Sequence, residues 1–235
     1  MSTQTDITNP AITEADAKEV RVLRHKKATR RRHALMLVVT FCLLISGFMM
    51  WAGLSKMSGT VAVIHGVIGL IFIAVPLFWV LTDFRNFAGF IGNMTHYDSS
   101  DASWLARGGG YLGGADKVAP QGKYNAGQKI ITILLIIAAI GLGITGPLMW
   151  LGTKDGFFGL FSLHVAPGLT TILWNLHLIF AIAVLIFVIT HMFIALLPSN
   201  VKVVNSMFGD GTVELDFAQS HYGKWVEDLD VIEEK

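Results

Sequence analysis

The sequence predicts an all-α membrane protein, a four-transmembrane-helix bundle with N- and C-termini cytoplasmic. Three observations carry that expectation. Only 15% of the 235 residues are charged and 53% are hydrophobic, whereas soluble domains carry about a quarter charged residues. The shortage is concentrated in four apolar runs, at 34–52, 60–81, 130–150 and 171–197, each close to the roughly 20 helical residues that cross a hydrocarbon layer. Lysine and arginine avoid two of the connections and crowd the rest, which is how bacterial membrane proteins set their orientation.

Residues 1–33 form a basic cytoplasmic segment, in which residues 1–20 are polar, lack hydrophobic periodicity and are expected to remain mobile. Lys18, Arg21, Arg24, Lys26, Lys27, Arg30, Arg31 and Arg32 precede the first run. That run is too long for the apolar part of a signal peptide, and no small-residue cleavage site follows it. The four runs lie within a transmembrane domain at 34–197, interrupted by a cytoplasmic loop at 83–129. Inside lipid the backbone must satisfy its own hydrogen bonds, so each run is expected to be a helix. The loop carries five basic residues and its stretch 97–122, rich in Gly, Ser and Asp, reads as irregular. The segment 198–235 is a cytoplasmic tail with three more, whereas Lys56 and Lys154 stand alone in the other two connections. Sixteen basic residues against two put both termini and the long loop on the cytoplasmic side. Trp51, Trp150 and Trp174 then fall at the opposite interface, where an aromatic belt belongs. The lone Cys42 excludes a disulfide framework and a thiolate cluster. A net charge of +1 gives no reason to expect a nucleic-acid partner.

Eight histidines are present. His25, His96, His164 and His221 fall in connections or tails and read as solvated side chains. His33, His65, His177 and His191 lie at the edge of or inside the apolar runs, where an ionisable side chain is costly and calls for a function. Taken singly, each could be a histidine hydrogen-bonded between helices. Their spacing says more. His177 and His191, fourteen residues apart, fall within about 40° on one helix face and about 21 Å apart along it. Counted from the periplasmic ends, His65 and His177 lie at one depth, about 8 Å, and His33 and His191 at another, about 29 Å. Two bis-histidine sites follow: His65 with His177 near the periplasm, and His33 with His191 near the cytoplasm. Neutral imidazole is a normal axial ligand of haem iron. Zinc would gather more ligands at one level, and no Cys, Asp or Glu accompanies either pair. Gly66, Gly69, Gly141, Gly143 and Gly146 would let a flat macrocycle approach the backbone; close helix packing explains them as well. Arg30, Arg31 and Arg32 beside His33 serve topology, with the balancing of haem propionates as a second role.

With these residues the chain resembles the cytochrome b (gamma) subunit of respiratory formate dehydrogenases. The resemblance extends from about Arg21 to Pro198. It rests on the four runs, the basic stretch ending at His33, His65-Gly-Val-Ile-Gly, the pair His177 and His191, and above all Tyr124-Asn-Ala-Gly-Gln128. It implies two haem b groups, on His65 with His177 and on His33 with His191. It implies a quinone site, for menaquinone or ubiquinone, at Asn125, Gly127 and Gln128. An N-cap is the plain alternative for Asn125. The resemblance also implies an iron–sulfur beta subunit and a molybdenum or tungsten catalytic alpha subunit as partners, in the bacterial inner membrane. The chain would then be the electron-transfer and quinone-reducing subunit of an oxidoreductase complex, carrying electrons across the bilayer. No nucleophile–base pair, carboxylate pair or phosphate loop suggests that formate oxidation itself occurs here. The cytochrome b subunits of Ni–Fe hydrogenases and other respiratory reductases share the histidine layout and form the alternative. A transporter with a histidine proton relay is a rival of another class, disfavoured because the histidines fall on two levels.

Overall fold

The computed structural model describes residues 20–57, 59–111, 117–153 and 165–233. The N-terminal stretch 1–19, expected to be mobile, lies outside the described residues, as do Lys154 and His164. Four helices are long and apolar enough to span a membrane: α1 (Lys27–Trp51), α2 (Thr60–Thr82), α5 (Ala126–Leu151) and α6 (Pro167–Ala195). Between and after them come α3 (Phe84–Thr95), α4 (Ser99–Ala106), α7 (Val201–Phe208) and α8 (Leu215–Glu233). Two short strands, β1 (Arg21–Leu23) and β2 (Thr212–Glu214), and two 3-10 turns, Gly108–Gly110 and Pro198–Asn200, complete the described elements. At 23 to 29 residues, the four long helices measure about 35 to 44 Å, enough to cross the hydrocarbon core and both interfaces. Their exposed residues are mostly large and apolar, with Leu81 83% and Phe193 68% exposed, as on lipid-facing surfaces.

Three boundaries differ from the apolar runs. Helix α1 starts at Lys27 and α5 at Ala126, because Lys, Arg, Ala and Gln are good helix formers and their long polar side chains reach the interface from inside a helix. His33 and Arg30 to Arg32 therefore lie within α1. Helix α6 begins at Pro167, with proline at the first turn, where its missing N–H costs nothing. Pro76 and Pro147 lie inside helices that run on past them. The stretch expected to be irregular contains helix α4. Asp98 caps it, accepting from the Ser100 and Asp101 backbone N–H groups while the Asp101 carboxylate accepts from the Asp98 N–H. This reciprocal box satisfies donors that an Asp- and Ser-rich loop would leave to water.

The chain divides into two compact units. One comprises residues 31–88 and 131–193, and so most of the four spans. Within it the spanning backbones do not run in close contact over any appreciable length among the described residues; they meet through side chains. Gly66 and Gly141 are occupied by ring packing: a Cβ at Gly66 would lie 2.6 Å from the Trp150 ring, and one at Gly141 would collide with Phe180. Trp150 thus turns inward onto Gly66, whereas Trp51 and Trp174 are exposed as belt residues should be.

The other unit gathers residues 20–30, 89–111, 117–130 and 194–233. Its two strands pair antiparallel, Val22 opposite Val213. Around them Leu215, Phe217, Ala218, Tyr222, Trp225 and Val226 form a small hydrophobic core. The tail after Pro198 is therefore folded. Helix α8 is interrupted at Tyr222, whose ring centre lies 3.9 Å from the buried Arg24 guanidinium, with that of Trp225 at 5.0 Å. Arg24 donates to the Lys123 carbonyl at 2.5 Å, and burial lowers the pKa of both Arg24 and Lys123. Lys129 makes a buried ion pair with Asp101 at 2.8 Å and also donates to the His96 carbonyl. Lys224 donates to Asp98 at 2.7 Å and holds that carboxyl well below the usual carboxylate range. Among the histidines read as solvated, His96 and His221 are exposed, but His25 is buried at the turn where its N–H meets the Gly211 carbonyl.

Candidate haem sites

The structure brings the four span histidines together in two pairs. His65 on α2 faces His177 on α6, with ring centres 6.3 Å apart. His33 on α1 faces His191 on α6, with ring centres 6.4 Å apart. Two imidazoles bound on opposite sides of one metal ion, with nitrogen–metal bonds of about 2 Å, place their ring centres about 6 Å apart. Both pairs therefore have a separation at which the two rings would hold one metal ion between them. Helix α6 supplies one ring to each pair from positions fourteen residues apart, which sets the two sites about 21 Å apart along its axis.

His65 and His177 each meet a hydroxyl of a neighbouring helix. His65 Nδ1 lies 2.8 Å from Ser46 Oγ, and that hydroxyl donates to the Cys42 carbonyl at 2.6 Å. His177 Nδ1 lies 2.9 Å from Thr145 Oγ1, which donates to the Gly141 carbonyl at 2.8 Å. A hydroxyl carries a single proton. Where that proton goes to the carbonyl, the hydroxyl oxygen accepts from Nδ1–H and Nε2 keeps its lone pair. Nε2 is then the ring atom left with a lone pair for a metal ion in both histidines. Space is provided by glycine: a Cβ at Gly47 would lie 3.4 Å from His65 Cε1, and one at Gly146 3.3 Å from His177 Cε1. Gly69 faces open space, and Gly143 makes ordinary contact with Ile73. Paired imidazoles and no group of three metal-ligating side chains among the described residues fit a haem better than a zinc ion. Arg32, next to His33, lies with its guanidinium 4.3 Å from the Trp79 ring centre.

The other predicted residues sit in the second compact unit. Asn125 Oδ1 accepts from the Gln128 backbone N–H at 2.9 Å, and Gln128 Oε1 accepts from that of Asn125 at 3.1 Å. This is a reciprocal capping box at the start of α5. A Cβ at Gly127 would lie 2.5 Å from the Trp104 ring, so the glycine admits that ring. The box uses the two side-chain oxygens and leaves the Asn125 amide N–H donors uncommitted to the helix. Ser46, Thr145 and Gly47 were not singled out by sequence; a hydroxyl at the depth of His65 was the available signal.

Residues 24–210 match the family described as prokaryotic cytochrome b561. The chain belongs to that family. A prokaryotic cytochrome b561 carries haem of the b type, which the two imidazole pairs suit, and four apolar spans make this member a multi-pass protein of the bacterial inner membrane. This cytochrome is also similar to the formate dehydrogenase cytochrome b556 subunit of Haemophilus influenzae. The two are 26% identical over 219 residues, which covers 89% of this chain and 84% of that protein.

Proposed function

We propose that this cytochrome is the di-haem electron-transfer subunit of a membrane formate dehydrogenase, delivering electrons across the bilayer to quinone. The observation that carries the reading is the pair of imidazole pairs, each with ring centres 6.3 to 6.4 Å apart and built on opposite parts of α6. His65 and His177 would hold one haem b, and His33 and His191 the other. Haem b supplies reversible one-electron chemistry at iron. The histidines fix the iron positions, and the apolar spans around them exclude water and set the local dielectric.

The resemblance at Tyr124-Asn-Ala-Gly-Gln128 and the similarity to a formate dehydrogenase subunit support formate as the electron source. On this reading, formate is oxidised on a molybdenum or tungsten partner and an iron–sulfur partner hands the electrons on. Menaquinone or ubiquinone accepts them near Asn125, Gly127 and Gln128. The amide N–H donors of Asn125 are of the kind a quinone carbonyl accepts.

Haem stoichiometry tests the core of the proposal. The protein purified with its partner subunits should show a dithionite-reduced b-type α-band and two haems per chain. His65→Ala should reduce the count to one and leave the second haem's spectrum in place. A wild-type chain with one haem or none, or full haem content in His65→Ala, would refute the assignment. Co-purification with a catalytic subunit that does not oxidise formate would overturn the donor alone.

A further inference from the structure

The two periplasmic-side histidines are seated by the same three-residue unit, used twice. Helix α1 carries Ile45-Ser46-Gly47 and helix α5 carries Ile144-Thr145-Gly146. In both, the hydroxyl meets the Nδ1 of a histidine on another helix, at 2.8 Å for Ser46 and 2.9 Å for Thr145. In both, the glycine that follows leaves room for the same ring's Cε1. Ser46 is 8% exposed and Thr145 4%, so water does not compete for either hydroxyl. Several other hydroxyls of this chain bond only their own helix in the contacts found for them: Thr82, Thr170, Thr171 and Thr190 each donate to the carbonyl four residues back. Ser46 and Thr145 make that bond too, and the bond turns their oxygens into fixed acceptors.

We infer that Ser46 and Thr145 are paired positioning residues that hold His65 and His177 as Nδ1–H tautomers, aim their Nε2 atoms at one iron and lower that site's reduction potential. The inference rests on the two-haem reading above. An oxygen that accepts from Nδ1–H makes the imidazole a stronger donor, and a stronger donor favours ferric over ferrous iron. Both axial ligands carry the same acceptor, so the two effects act on one haem in one direction. The short side chains, each tied to its own helix, also restrict ring rotation about the Cβ–Cγ bond. All four spanning helices thereby contribute to this site: α2 and α6 the ligands, α1 and α5 their seats.

The experiment is a redox titration of the α-band in the holo complex, with low-spin haem EPR of the same samples. Ser46→Ala and Thr145→Val each remove one acceptor and keep an apolar group. Each should move one haem's midpoint potential positive, leave the other's in place and change the EPR g-values of the shifted haem only. The double variant should shift further, and Ser46→Thr should restore the wild-type value. Loss of that one haem with retention of the other also supports a seating role. Unchanged potentials and g-values in a two-haem protein would overturn the inference, as would a shift confined to the other haem. Loss of both haems in both variants would overturn it in favour of general packing. A wild-type protein without two haems would instead sink the function on which the inference stands.

Discussion

Asn125 is where the observed cap and the proposed quinone contact fall on one side chain. Its oxygen caps α5, while its amide hydrogens are the donors a quinone carbonyl would accept. Aspartate separates the two, because it caps a helix as well as asparagine does and offers no amide donor. Asn125→Asp should leave haem content and thermal stability near wild type while slowing quinone reduction about five- to tenfold, the effect of losing roughly one hydrogen bond. Asn125→Ala should also lose about 1 kcal/mol of stability. Steady-state quinol formation measures the first effect and a melting curve in detergent the second. Unchanged turnover in Asn125→Asp would assign the residue to the cap alone. At this scale the four span histidines were legible, because an ionisable ring in an apolar run stands out and its depth can be counted. Ser46 and Thr145 were not. A hydroxyl in a membrane helix can always bond the carbonyl one turn back, and which hydroxyl also meets a neighbouring helix depends on rotations that no spacing reveals. The glycines divided in the same way: Gly146 faces His177, but Gly66 and Gly141 admit Trp150 and Phe180.

The four spans could be read from length and apolarity, since lipid leaves the backbone no alternative to a helix. The elements outside the membrane were hidden for a physical reason. Helix α4 is eight residues of Ser, Asp, Ala, Trp and Leu, too short to be stable by itself in water. It is held by tertiary contacts from distant positions: Lys129 on Asp101, and Lys224 on Asp98. The first of these is the stronger tie, because Asp101 is 2% exposed and Lys129 8%. Removing one partner of a buried ion pair strands the other charge, at a cost of about 3–5 kcal/mol. Asp101→Asn or Lys129→Met alone should therefore lower the melting temperature clearly and expose the α4 segment to limited proteolysis. The double variant Asp101→Asn/Lys129→Met, with no stranded charge, should recover most of the loss. Equal destabilisation by the double and the sum of the singles would mean that the two groups are not coupled.

At the scale of the whole chain, the pairing of β1 with β2 yields a prediction for the membrane arrangement. Strand β1 near the N-terminus and strand β2 after the last span are antiparallel partners, Arg21 opposite Glu214 and Leu23 opposite Thr212. Residues of the long middle segment join the same unit, with Lys123 accepting from Arg24 and Asp98 from Lys224. Three segments that fold together must lie on one face of the bilayer, which an even number of spans allows. This is independent of the charge count, and the count could not foresee it, because two three-residue strands about 190 positions apart leave no local pattern. The charge count in turn supplies what the strand pairing lacks, namely which face: sixteen basic residues attach to that side and two to the other. Together they predict that a reporter folding only in the cytoplasm will be active when fused at either end of the full chain or inserted between residues 111 and 117. A reporter folding only in the periplasm should be active only in the two connections holding Lys56 and Lys154. Periplasmic activity at one terminus alone would require an odd number of spans and would break the β1–β2 pairing. Periplasmic activity at both termini would preserve the fold and reverse its orientation, placing the His33 and His191 pair on the outer side.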